Sequence, residues 1–213
     1  MASVGFGVDM FTVFLVDDDA RVLKALSRLL TAYGRNVRTF ASAEEFLTEH
    51  DPEIPGCAIF DVAMPGLDGL ELQRVLGVNG DQRPIIFISG RGDVPTSVNA
   101  MKAGAVDFLT KPLHDKLLLD AIARAEQADA AARKARVELG IIQAKVATLT
   151  PREREVLSHV VAGRLNKQIA AELGTVEKTV KVHRGRMMEK LGVRTVADLV
   201  RLAERVGVQI AKS

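Results

Sequence analysis

In four places along this 213-residue chain an apolar run ends on residues that can do ionic chemistry. TVFLV (12–16) is followed by Asp17-Asp18-Asp19. CAIF (57–60) runs into Asp61, with Met64-Pro65-Gly66 close behind. PIIFI (84–88) ends at Ser89-Gly90, and VDFLT (106–110) at Thr110-Lys111-Pro112. A charge at the mouth of a core is costly unless something neutralises it. Several carboxylates gathered there would repel one another. A hard divalent cation resolves the repulsion, because Mg²⁺ favours one or two carboxylates, waters and phosphate oxygens. Lys111 adds a point charge and Ser89 a hydroxyl. A carboxylate so equipped can accept a phosphoryl group: metal to neutralise, lysine to clamp, hydroxyl to bind an oxygen. Taken singly, each residue has an ordinary reading as a turn or cap; the joint pattern on four strand ends does not.

These side chains meet only if the strand ends share one rim. The runs at 12–16, 36–40 (NVRTF), 57–60, 84–88 and 106–110 alternate with helix-like segments. In the first such segment Val22, Leu26, Leu29 and Leu30 fall on one helical face. The pattern predicts an α/β doubly wound, five-stranded parallel sheet covered on both sides. Its working site lies beyond the C-terminal strand ends. From Leu113 the chain is rich in Ala, Arg and Glu, and no proline recurs before Pro151. This predicts a last helix running on into a helical linker; 30 residues of helix span roughly 45 Å. Thr150, Pro151 and Glu153 then form a helix start. Four helices are expected at 151–162, 166–173, 176–190 and 195–206, with Gly163, Gly174 and Gly192 at the joints. The division expected is a domain over 10–125, a helical linker over 126–148 and a small all-α four-helix domain over 149–210.

The net charge of +2 conceals an asymmetry. Residues 1–124 hold 12 Lys/Arg and 17 Asp/Glu, residues 125–148 hold 4 and 3, and residues 149–213 hold 13 and 7. An acidic front and a basic back imply different partners, with a polyanion for the second. One cysteine, Cys57, excludes an intrachain disulfide and suits a reducing cytoplasm. The N-terminus makes a poor signal peptide, and no apolar run reaches the roughly 20 residues of a membrane span. The four histidines lack metal spacing.

Within 176–190, Val176, Val180, His183, Met187 and Leu191 recur at helical spacing and suit a core. Lys178, Lys181, Val182, Gly185 and Glu189 lie opposite. A helix crossing the major groove reads bases from such a face. Val182 can touch a thymine methyl while lysines reach phosphate or guanine. Gly185 costs about 1 kcal/mol against Ala in a helix, and is expected to permit close approach to the duplex.

VDDD (16–19), DVAMPGLDGLEL (61–72), ISGRGD (88–93) and AVDFLTKPL (105–113) resemble receiver domains of two-component response regulators, over about residues 10–125. The resemblance implies that Asp61 is the phosphoacceptor. It implies that Asp17, Asp18 and Asp61 hold Mg²⁺ together with the backbone carbonyl of Ala63. Ser89 and Phe108 would be a switch pair, Lys111 would bind the acyl phosphate, and the Lys111–Pro112 bond is expected to be cis. Ala63 offers no polar side chain near the acceptor, and Arg91 follows Ser89 by two. A long phosphorylated lifetime is expected from both.

The string from Leu149 to Val200 resembles the LuxR-type helix-turn-helix domain, and the whole chain resembles a FixJ-type transcriptional regulator. By position, Lys181 and Val182 are the expected base contacts. Asn166, Lys167, Lys178, Thr179 and Arg184 are the phosphate candidates. With valine at 176, where family members often carry serine, the helix cap is expected to shift to Thr175. The implied partners are a sensor histidine kinase, double-stranded DNA and a second copy of the chain on phosphorylation, with RNA polymerase a further candidate. The fourth helix, fifth strand and fifth helix would form the pairing face. Two rivals are an aspartyl-phosphate magnesium phosphatase and a phospho-switch with an RNA- or protein-binding tail. Against the first, the DxDxT pattern of haloacid dehalogenase phosphatases lacks its second acid here, at Ala63.

Overall fold

The computed structural model describes residues 10–90 and 94–208. Two compact units divide between Arg133 and Lys134. In the first, strands and helices alternate: β1 (Thr12–Val16), α1 (Ala20–Ala32), β2 (Asn36–Phe40), α2 (Ala43–Glu49), β3 (Gly56–Asp61), α3 (Gly69–Val78), β4 (Ile85–Ser89), α4 (Val94–Lys102) and β5 (Asp107–Thr110). All pairings are parallel and the sheet order is β2-β1-β3-β4-β5. The order reverses between β1 and β3, where a crevice opens beyond the strand ends.

Side chains alternate across the pleat, so the buried strands feed two cores. Val13, Leu15, Cys57, Ile59, Ile86 and Ile88 pack under α1 through Leu23, Leu26 and Leu30, with Val22 and Leu29 at the margin. Phe14, Val16, Ala58, Phe60 and Phe87 face the other way, against Phe46 of α2, Leu72 and Leu76 of α3 and Ala100 of α4. Burial pushes the Cys57 thiol up to about 12, so it is an inert core residue.

Helix α5 runs without a break from Asp115 to Ala147, straight through Gly140. Its first turns bury Leu118, Ala121, Ile122 and Ala125 on the first core. Further on, Arg133 grips the loop before β3. It donates to both Asp129 carboxylate oxygens at 2.9 and 3.1 Å and to the carbonyls of Pro52, Glu53 and Ile54 at 2.8–3.2 Å. Buried Arg83 holds the same loop from the side of β4, donating to the Asp51 and Ile54 carbonyls.

The second unit contains α6 (Pro151–Val161), α7 (Asn166–Glu172), α8 (Glu177–Leu191) and α9 (Val196–Arg205). Thr150 and Glu153 form the expected capping box, with Pro151 in the first turn. The Lys190 ammonium, 2.7 Å from buried Glu153, and the Thr150 N–H hold the Glu153 carboxyl below its ordinary range. The core gathers Leu149, Val156, Leu157, Val160, Ile169, Val180, Met187, Leu191 and Leu199. Two expectations for α8 are corrected. Val176 is not a core residue but is 64% exposed, because the helix begins at Glu177 and Val176 stands outside the cylinder as its N-cap. The cap therefore does not move to Thr175, and no side chain serves as capping acceptor. His183 is only half-buried. Among the described residues no helix is long and apolar enough to cross a membrane.

Candidate functional site

An open cleft of about 840 Å³ lies at the sheet's topological switch, lined by Asp17, Asp18, Asp61, Ala63, Ser89 and Lys111 among others. Register puts them there. Val16 lies beside Phe60, Asp61 beside Ile88 and Ser89 beside Thr110. Gly69, in the first turn of α3, packs beneath: a Cβ there would fall 2.4 Å from the Asp61 carbonyl oxygen. Lys111 follows β5 after a backbone bond to the Ser89 carbonyl, and the Lys111–Pro112 bond is cis.

The Lys111 ammonium bridges two buried carboxylates, 2.9 Å from Asp17 and 2.7 Å from Asp61. The second oxygen of each accepts a backbone N–H, from Asp19 and Ala63 respectively. Burial pushes the Asp17 carboxyl above its usual range, and the Lys111 bond only partly opposes this. Burial also disfavours the Lys111 cation, but the bonds to Asp17 and Asp61 outweigh it and hold its pKa high. One ammonium between two carboxylates leaves a residual negative charge in a partly desolvated cleft.

That residual charge fits a divalent cation. Among the described residues no three His, Cys, Asp or Glu side chains form a ready-made metal cage. Mg²⁺ does not need one, since it keeps several waters and takes one or two carboxylates. Exposed Asp18 and the backbone at Ala63 border the same cleft. Asp19, by contrast, caps α1 and pairs with Arg21.

Ser89 is buried at the cleft floor. Phe108 is half-buried on β5, its ring 6.3 Å from that of Phe87. Ala63 is exposed at the lip, while Arg91 lies outside the described residues.

In the second unit, the exposed face of α8 carries Lys178, Lys181, Val182, Gly185 and Glu189 as expected. Val182 is 45% exposed, and a Cβ added at Gly185 would meet nothing within 4 Å. Thr179 and Arg184 are half-buried, as is Asn166, while Lys167 is exposed. The cations of the unit differ in their ion pairing. Arg152, Arg164, Lys190, Arg201 and Arg205 each have a carboxylate partner. Among the described residues Lys167, Lys178, Lys181, Arg184 and Arg186 have none. Arg186 was not singled out from sequence. The signal was present, since it follows Val182 by four on an exposed side of the helix.

Residues 13–123 match the response regulator receiver domain, and residues 147–203 match the luxR family of bacterial regulatory proteins. Nodulation protein W of Bradyrhizobium diazoefficiens is 44% identical over 92% of this chain and 86% of its own length. Transcriptional regulatory protein FixJ of Rhizobium meliloti is 44% identical over 91% of this chain and 95% of its own. Among solved structures, response regulator StyR superposes with a TM-score of 0.76 at 47% identity, covering 92% of this chain and 99% of that one. Full-length FixJ from B. japonicum gives 0.56 at 40% identity, covering 92% and 97%. With two carboxylates bridged by a lysine in the cleft of one unit and a basic helix in the other, the chain belongs to the FixJ-type two-component response regulators, transcription regulators controlled by phosphorylation.

Proposed function

We propose that Asp61 accepts the phosphoryl group of a sensor histidine kinase, that the phosphorylated chain pairs with a second copy, and that the pair binds duplex DNA through α8. The observation that carries the first step is the Lys111 bridge between Asp17 and Asp61. A carboxylate oxygen of Asp61 attacks phosphorus, the P–N bond to the donor imidazole breaks, and Asp61 becomes an acyl phosphate. Lys111 stays beside the reacting oxygens and offsets the charge carried in by the phosphoryl group. Mg²⁺ held by Asp17, Asp18, Asp61 and the Ala63 carbonyl would supply the remaining positive charge. The domain thus catalyses its own phosphorylation and, with water as nucleophile, its own dephosphorylation. Ala63 cannot orient that water, so the acyl phosphate is expected to outlast minutes; a half-life of seconds would contradict this.

After transfer, the Ser89 hydroxyl turns to a phosphoryl oxygen and Phe108 moves inward. The face of α4, β5 and α5 changes with it. Val94, Val98 and Met101 of α4 and Leu117 of α5 are exposed apolar residues there, which supports pairing of two copies. Lys181 and Val182 read bases, while Lys167, Lys178, Thr179 and Arg184 meet phosphates, with Asn166 beside Arg184. The unpaired cations around α8 support this assignment. The domain division proposed is 10–125 and 149–210, joined by a helical linker over 126–148 whose first turns, to Arg133, stay tied to the receiver. RNA polymerase is a further proposed partner, and the cytoplasm the proposed compartment.

The test is duplex binding with and without acetyl phosphate. A dimer making roughly 8 phosphate contacts gives a slope of log K against log salt of about −7. Acetyl phosphate should tighten binding by the wild type and leave Asp61→Asn unchanged. A flat salt dependence would contradict duplex binding.

A further inference from the structure

Arg184 differs from the other unpaired cations of the basic face. Lys167, Lys178, Lys181 and Arg186 are exposed, whereas Arg184 is half-buried on the flank of α8, between the core side and the open side. Its Nη1 donates to the Asn166 Oδ1 at 3.2 Å, across the gap between α8 and the first turn of α7. An amide oxygen can orient a guanidinium but cannot neutralise it. Arg184 therefore keeps a whole positive charge in a partly desolvated place, with no carboxylate partner among the described residues. A guanidinium has five N–H donors in a fixed planar fork. Holding one of them narrows the directions in which the rest can point.

We propose that Asn166 is a positioning residue that holds the Arg184 guanidinium edge-on to one DNA backbone phosphate, so that the first turn of α7 orients a phosphate contact made from α8. This rests on the proposed binding of duplex DNA through α8, and it divides roles that sequence position alone assigned alike. Asn166 acts through Arg184, and Arg184 makes the ionic contact. The planar, weakly hydrated fork suits a bidentate phosphate contact better than a lysine would. Pre-ordering by Asn166 lowers the cost of immobilising a long side chain at the interface.

The experiment uses the full chain treated with acetyl phosphate and Mg²⁺, and a fluorescein-labelled mixed-sequence duplex of roughly 30 base pairs titrated between about 50 and 200 mM KCl. Arg184→Gln keeps most of the side chain and should make the salt slope of the bound pair shallower by about 1.8, about 0.9 for each copy. Arg184→Lys should restore the slope but bind several-fold more weakly than wild type. Asn166→Ala should weaken binding several-fold, and the double variant Asn166→Ala/Arg184→Gln should bind no more weakly than Arg184→Gln alone. Melting temperatures are measured for every variant, because a merely structural bolt would lower them and leave the slope untouched. An unchanged slope in Arg184→Gln overturns the proposal, as does an Asn166→Ala loss that persists in full in the double variant. Failure of the wild type itself to bind in a salt-dependent way overturns the DNA-binding reading beneath it.

Discussion

Asp17 and Asp61 are buried within hydrogen-bond reach of one ammonium, which leaves the residues of the cleft out of charge balance. Two carboxylates against one lysine cost stability when no cation is present, and burial of Asp17 is the larger part of that cost. Removing the charge should help the metal-free protein and harm its metal response. Asp17→Asn is expected to raise thermal stability in EDTA by on the order of 1 kcal/mol. It should also abolish most of the rise in melting temperature that added Mg²⁺ gives the wild type. Calorimetry with and without Mg²⁺ checks this; a variant less stable than wild type in EDTA would show that Asp17 stabilises the fold through Lys111. The side chains of this cleft were legible in the sequence because each stands at a strand end, and a parallel sheet sends all such ends to one rim. The pairing of Arg184 with Asn166 was not, since 18 residues and a helix crossing separate them.

At the scale of elements, two helices carry more than their periodicity announces. Helix α5 does not leave the receiver where the family match ends at 123; Arg133 still holds the loop that leads into β3. A receiver ended at residue 125 loses that clamp, and with it the Arg35–Glu126 pair. Charged hydrogen bonds contribute about 1.5–3 kcal/mol each at most. A chain ended at 135 should therefore be about 2 kcal/mol more stable to urea than one ended at 125, and Arg133→Ala in the longer chain should remove most of the gain. Equal midpoints would contradict the clamp. The reason it was not legible is physical: the acceptors are backbone carbonyls about 80 residues away, which leave no side-chain signature. Helix α8 gives the opposite lesson. Its open face was read correctly, but Val176 was placed in the core because it stands four before Val180. Spacing cannot show that the helix starts one residue later. At Gly185 an added methyl has room within the protein. Gly185→Ala should raise stability by about 1 kcal/mol and weaken duplex binding. If stability rose and affinity stayed the same, Gly185 would have no role at the duplex.

At the scale of the molecule, a cleft with excess negative charge and a helix with unpaired positive charge sit in two compact units of one chain. A phosphoryl group on the first can alter binding by the second only through a difference in affinity between two states. The acidic and basic halves, the five-strand alternation and the four terminal helices were legible because composition and periodicity are local. The continuity of α5 was expected from the lack of proline between 113 and 150, and Gly140 does not interrupt it. The most direct test of the central claim is peptide-resolved mass spectrometry after exposure to acetyl phosphate and Mg²⁺. One phosphoryl adduct is expected, on the peptide that contains Asp61, lost in Asp61→Asn and greatly diminished when Lys111 is replaced by Gln. An adduct on another residue, or none at all on the folded wild type, would contradict it.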